Sequence, residues 1–150
     1  MILLDQNKGY KDFLAREGVK RTKHRTAIIK ILEESDTTLT AEDIFLRLKG
    51  KNVSISLSTV YRTLETLTSK DLVIKVNLFD DGLARFELDR KEHKHHVVCV
   101  SCRKSLSIGD CPFEEFEKSL KEKMDFDVTG HKFEIYGFCK ECKSANAKGK

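Results

Sequence analysis

The sequence predicts an α+β chain of two unlike parts, on three observations. Over residues 1–88, apolar positions recur at helical spacing and then give way to two β-rich runs around an Asp-Gly turn. All five cysteines and four of the five histidines lie between His93 and Cys142. Within that second stretch one amphipathic segment, CPFEEFEKSLKEK, stands between the cysteine pairs. The pattern breaks at LDRKE, just before the histidines, so a helical domain is expected over 1–88 and an α/β domain over 89–150.

The elements follow in order. Tyr10, Phe13 and Leu14 share a helical face that Gly18 ends. Ala27, Ile28, Ile31 and Leu32 form the next stripe. Thr40 reads as an N-cap with Glu42 and Asp43 in the first turn, Ile44, Phe45 and Leu48 as the buried face, and Gly50 as the stop. Ser56 or Ser58 caps a helix with Val60, Leu64 and Leu67 inside. The runs LVIKVNLF and LARFEL flank Asp80-Asp81-Gly82, a hairpin signal. Helices followed by a hairpin describe a winged helix, whose second helix enters the DNA major groove.

The recognition helix is then LSTVYRTLETLTS, with Ser58, Thr59, Tyr61 and Arg62 near its start as DNA contacts. Upstream, Lys20, Arg21, Lys23, His24, Arg25 and Lys30 place six potentially basic side chains together with no acid among them. Such a cluster at a helix start suits phosphate contact, although charge runs are more often plain solvated surface. The overall charge agrees without deciding: 28 Lys and Arg against 24 Asp and Glu leave +4.

No apolar run approaches the ~20 residues of a membrane helix, and MILLDQNKGY is too short an apolar start for a signal peptide. The expected location is the cytoplasm, where thiols stay reduced, so the cysteines read as metal ligands before disulfides. Cys99-x-x-Cys102 and Cys139-x-x-Cys142 can each place two sulfurs on one ion, and together they complete a tetrahedral thiolate shell for structural Zn(II). The rival is a pair of reversible disulfides. Cys111, alone before Pro112, reads as a packing residue at a helix start.

His93-Lys94-His95-His96 leads into Val-Val-Cys. On a strand, His93 and His95 point to one face and His96 to the other. His131, and Glu114, Glu115 and Glu117 at the helix start, are the partners in reach of such a pair. Three imidazoles and a carboxylate suit Zn(II), Fe(II) or Mn(II) without strong selectivity. A solvated strand end is the bland alternative.

LTAEDIFLRL, STVYRTLETL, RFEL, H-x-H-H-V-V-C-x-x-C, TGHKFEIYG and the final C-x-x-C match, in order and spacing, the signatures of the ferric uptake regulator family. The chain resembles that family along nearly its whole length. The resemblance implies a homodimeric, metal-dependent DNA-binding repressor, with an N-terminal winged helix and a C-terminal α/β dimerisation domain. It implies structural zinc at Cys99, Cys102, Cys139 and Cys142, and a second, regulatory Zn(II) or Fe(II) at His93, His95, Glu114 and His131. It further implies a hinge site to which Glu87, Asp89 and His96 correspond. Two hinge positions depart from the pattern, since Lys94 and Thr38 stand where histidines are expected. A protonated lysine repels a cation, so Glu87, Asp89 and His96 make at most a partial site. The resemblance also implies an AT-rich palindromic operator controlling iron- or zinc-uptake genes.

Three other readings stay open on the residues. A peroxide-sensing regulator of the same family is one, although Glu87 in RFEL looks more like iron regulators, where peroxide sensors tend to have aspartate. A mononuclear zinc hydrolase using His93, His95 and His131 with Glu114 as base is another. Against it, catalytic zinc keeps an open position and needs a substrate cleft. The third is a plain zinc-ribbon scaffold that binds no DNA.

Overall fold

The computed structural model describes residues 14–15 and 18–147. The chain divides into two compact units, the first ending at Arg90 and the second beginning at Lys91, two residues beyond the expected boundary. Tyr10 and Phe13 of the expected first helical face lie outside the described residues. Leu14 is buried, and Gly18 takes a positive φ of 64°.

The first unit is built on three helices: α1 (Lys23–Glu33), α2 (Ala41–Gly50) and α3 (Leu57–Ser69). Each starts where a side-chain oxygen satisfies backbone N–H groups that no helical carbonyl can reach. Thr22 accepts from the Arg25 N–H at 3.2 Å, and Ser56 from the Thr59 N–H at 3.2 Å. At α2 the cap is reciprocal, with Thr40 accepting from the Asp43 N–H while the Asp43 carboxylate accepts from the Thr40 N–H. Ser56 rather than Ser58 is therefore the cap of α3, which leaves Ser58 in its first turn. Gly50 is helical; the left-handed residue after α2 is Asn52, with φ of 57°. Phe45 is only partly buried and packs at the core's edge.

Ile28, Ile31, Leu32, Ile44, Leu48, Val60, Leu64 and Leu67 interlock as one core. The wing follows, β1 (Val73–Val76) pairing antiparallel with β2 (Arg85–Leu88), Val73 opposite Leu88 and Val76 opposite Arg85. The turn between them is looser than the Asp-Gly signal predicts and takes up residues 77–84. Arg85 is the reason. Its side chain is buried, and its guanidinium donates to both Asp81 carboxylate oxygens, at 2.9 and 3.2 Å. A bidentate pair of this kind fixes the loop more firmly than a free turn does. Leu39 and Phe86 exchange backbone hydrogen bonds, which ties the segment before α2 to the wing.

The second unit is a three-stranded sheet of order β4-β3-β5. Its centre is β3 (His95–Cys99), antiparallel to β4 (Ser105–Ile108) and parallel to β5 (Glu134–Gly137). A parallel neighbour needs a crossover connection. Helix α4 (Glu114–Met124) supplies it, and α5 (Lys140–Ala147) follows β5. The expected apolar face of α4 does not become a core: no residue of α4 is buried, and Phe116 is 56% exposed. Buried positions in this unit are few, chiefly His95, His96, Val98, Cys99 and Ser105.

Leu64 is fully buried at the centre of the first unit. Leu64→Ala should cost about 2–5 kcal/mol of that unit's stability. Urea unfolding of the zinc-loaded protein measures it, and a cost well under about 1 kcal/mol would mean that the site collapses around the gap.

Candidate metal centres

The register of the small sheet gathers the ligand-bearing residues at its two ends. Ile108 stands opposite His95, so the chain leaving β4 reaches Cys111 at the end of the sheet where β3 begins. Glu134 stands beside His96, so His131, three residues earlier, arrives at the same end. At the other end Gly137 stands beside Cys99, which brings Cys139 to the cysteine knuckle that follows β3. The span of β3 between the two ends is about 13 Å, four steps of ~3.3 Å.

At the far end Cys99, Cys102, Cys139 and Cys142 bring their sulfurs within 4.8 Å of one another, and none is in a disulfide. Four sulfurs ~2.3 Å from one tetrahedral ion would stand about 3.8 Å apart. The Cys102 and Cys139 sulfurs are 3.8 Å apart. The knuckle closes through the Arg103 N–H on the Cys99 carbonyl at 3.0 Å, with Arg103 at a φ of 64°. Backbone N–H groups of Cys102 and then Cys139 hold the Cys99 thiol down to about 6. Cys139 is pushed up to about 12: the Cys142 backbone N–H lowers it, but the Glu141 side chain, burial and the Cys142 and Cys102 side chains together outweigh that. Four clustered thiols cannot all ionise without a cation, and a divalent ion removes the conflict. The donor set therefore fits Zn(II).

At the near end His93, His95 and His131 point three Nε2 atoms at one another. The separations are 2.8 Å for His93–His95, 2.9 Å for His93–His131 and 3.0 Å for His95–His131. Three nitrogens on one tetrahedral ion would stand about 3.3–3.4 Å apart, so the rings need back off by only a few tenths of an ångström. His95 is buried, which pushes its pKa below the ordinary imidazole value, and His93 and His131 push it the same way. Neutral imidazole is the ligating form. Phe113 and Phe133 wall the cluster, the Phe133 ring 3.9 Å from that of His95 and the Phe113 ring 5.6 Å from that of His131.

The fourth group at this end is Cys111, its Sγ 3.2 Å from His131 Nε2, and not the expected Glu114. Glu114 opens α4 with an exposed side chain, outside the cluster. One turn on, Glu117 is half-buried and its carboxylate bonds His131 Nδ1. Sequence reading assigned Cys111 to packing and named Glu117 only as one of three acids in reach of the histidines. The cue available was Pro112, which confines the residue before it to extended backbone and so keeps Cys111 out of the helix.

The hinge residues fall in different units. Glu87 lies in β2, the Asp89 N–H donates to the Leu72 carbonyl at 3.0 Å, and His96 is buried in β3. Lys94 Nζ stands 3.5 Å from the Glu92 carboxylate, and Thr38 is buried. In the first unit α3 exposes Ser58, Tyr61 and Arg62 along one face. The Tyr61 hydroxyl donates to Glu42 at 2.5 Å, and Thr59 is half-buried with its hydroxyl 2.9 Å from that of Ser56. Lys20, Arg21 and Lys23 are exposed. His24 is hydrogen-bonded to the Ser54 carbonyl at 3.0 Å, and the Arg25 guanidinium to that of Lys20 at 2.7 Å.

A winged helix joined to a small sheet with metal-ligand clusters at both ends defines a metal-responsive transcription regulator. Residues 16–136 match the family model described as the Ferric uptake regulator family. The chain belongs to that family. It is 31% identical over 143 residues to the ferric uptake regulation protein of Campylobacter jejuni, covering 94% of this chain and 90% of that one. It is 36% identical over 131 residues to the peroxide-responsive repressor of Staphylococcus epidermidis, covering 87% and 85%. The crystal structure of the Vibrio cholerae ferric uptake regulator superposes with a TM-score of 0.73 at 28% identity, covering 87% of this chain and 99% of that one. Members are DNA-binding dimeric regulators and not enzymes, which sets aside the zinc hydrolase reading.

With so little apolar burial, the second unit should need its cysteine-bound ion to fold. Stripping zinc with a strong chelator, or making Cys142→Ser, should collapse the amide NMR dispersion of residues 91–147 and leave the first unit's signals in place. A chelated protein whose second unit stays dispersed would contradict this. Glu117→Ala should weaken metal binding at the histidine cluster by about 10–100-fold, read by competition with a metal indicator, because it frees the His131 ring.

Proposed function

We propose that the protein is a cytoplasmic, metal-dependent repressor that binds palindromic operator DNA as a homodimer and controls iron- or zinc-uptake genes. The observation that carries this reading is the convergence of three histidine Nε2 atoms at one end of a sheet whose other end gathers four cysteines, in a chain whose other unit is a winged helix. The four cysteines hold structural Zn(II), and the histidine cluster takes the regulatory ion, Zn(II) or Fe(II).

The exposed face of α3 supports DNA contact. Arg62 and Ser58 point outward beside Tyr61 while Val60, Leu64 and Leu67 anchor the opposite side. Arg62 is the base-reading candidate. Lys20, Arg21 and Lys23 are the phosphate contacts. His24 and Arg25 are half-buried and hydrogen-bonded to backbone carbonyls, so they brace the start of α1 as well as adding charge.

Homodimerisation is supported by the second unit's surface. Among the described residues β5 pairs with β3 alone, and Ile135, Tyr136 and Phe138 on or just beyond it are exposed, as are Phe116, Met124 and Phe126. An unpaired edge bearing large apolar side chains is a template for a second copy, and two-fold pairing would bury it isologously. A two-fold dimer reads a palindrome. In the absence of the regulatory ion the two winged helices sample many orientations; the ion favours the one that spans both half-sites. Linkage makes the effect mutual, and a coupling of ~1–3 kcal/mol changes affinity by ~5–150-fold.

The test is anaerobic DNA-binding anisotropy on an AT-rich palindrome at fixed salt, with structural zinc retained and free Zn(II) or Fe(II) buffered. One metal should tighten binding, and His131→Ala should abolish the response. Arg62→Ala should cost about 1–3 kcal/mol of affinity. Binding that is tight and indifferent to both metals would overturn the reading, and so would the absence of DNA binding.

A further inference from the structure

The sequence-based ligand set for the histidine cluster, three nitrogens and a carboxylate, does not choose among Zn(II), Fe(II) and Mn(II). The geometry changes that set. We infer that Cys111 is the fourth ligand of the regulatory site, which makes it a three-imidazole, one-thiolate centre that favours Zn(II) over Mn(II). The inference rests on the proposed regulatory role of this cluster for its biological meaning, and on geometry alone for its ligands.

Four observations carry it. Cys111 Sγ lies 3.2 Å from His131 Nε2, and the four ligand atoms lie within 4.8 Å of one another. A nitrogen and a sulfur sharing one tetrahedral ion at ~2.05 and ~2.3 Å would stand about 3.5 Å apart, so the present spacing is nearly that of a bound pair. His131 is held through Nδ1 by the Glu117 carboxylate. A neutral ring that donates from Nδ1 presents the Nε2 lone pair, and here that lone pair is aimed at His93, His95 and Cys111. Each neutral Nε2 either donates or accepts, so at least one of the three mutual contacts must set donor against donor or acceptor against acceptor, whereas one cation can take a lone pair from all three.

The carboxylate alternatives are otherwise disposed. Glu114 is exposed on the first turn of α4, and Glu117 is already engaged behind His131, as an orienting group. Pro112 adds a local reason, because it keeps Cys111 extended at the turn between β4 and α4. The consequence is chemical. Oxygen ligands suit Mn(II), while a thiolate beside imidazoles suits Zn(II). Phe133 packs on the His95 ring and Phe113 on the His131 ring, while His93 stays exposed.

The experiment uses the full chain with one equivalent of Zn(II) in the four-cysteine site, its retention checked by elemental analysis. Co(II) is added anaerobically as a spectroscopic stand-in for Zn(II). The wild type should show tetrahedral d–d bands together with a thiolate-to-cobalt charge-transfer band, both saturating at one equivalent. Cys111→Ser should keep its zinc and its far-UV circular dichroism, lose the charge-transfer band, and bind Zn(II) at least about tenfold more weakly with little change for Mn(II). Glu114→Gln should leave the spectrum unchanged.

An undiminished charge-transfer band in Cys111→Ser would overturn the inference, because the sulfur would then come from the other site. It would also fall if Glu114→Gln removed the ion and Cys111→Ser did not, or if no Co(II) bound outside the four cysteines. Anisotropy on the same samples separates the two readings. A charge-transfer band with DNA binding indifferent to metal leaves Cys111 as a ligand and removes the regulatory role. DNA binding tightened equally by metal in the wild type and Cys111→Ser, with no charge-transfer band in either, does the reverse.

Discussion

The register of β3 between its two neighbours is the constraint on which the second unit depends. One antiparallel pairing places Cys111 beside the histidines, and one parallel pairing places His131 there and Cys139 at the opposite end. A one-residue slip of β5 would turn every side chain of that strand to the other face and shift both ligands along the sheet. The β4-α4-β5 connection therefore does more than link strands: it sets which residues meet at each end of the sheet. Nothing in the spacing of the motifs alone forces that outcome.

The two units are held together by different physics. The first has a conventional core of interlocked Ile, Leu and Val side chains, with its helices begun by Thr22, Thr40 and Ser56. The second buries two histidines, a cysteine and a serine among its few inside positions, and leaves α4 with none. A unit of that size has little apolar area to set against chain entropy. This division has a functional sense. The unit that carries the exposed face of α3 has the apolar core, and the unit that gathers the cysteines and histidines has little of one.

Much of this was legible in the sequence. The helices of the first unit follow from apolar periodicity and from Thr40 and Ser56 as caps, since both signals are local. The two cysteine pairs were legible because a C-x-x-C knuckle is itself a local structure. His93 and His95 were legible as a pair, although the strand begins at His95 and the alternation that suggested the pairing does not reach His93. Membership in the ferric uptake regulator family rests on ordered motifs spread over nearly the whole chain. Less legible were the features set by distant pairing. The wing's loop depends on Arg85 turning inward to Asp81, which no Asp-Gly signal reports. The segment of α4 reads as amphipathic, yet periodicity does not say what a helix packs against, and Phe116 is exposed.

The sequence by itself determined the family and the fold class and singled out the cysteines and histidines, because these are properties of local pattern and motif order. The tertiary structure decided which of those residues share a centre. It replaced Glu114 with Cys111 and put Glu117 behind His131. The reason is that α4 begins only after the chain has passed Cys111. The sulfur is thus left at the end of the sheet, while the first carboxylate of the helix is turned to the outside.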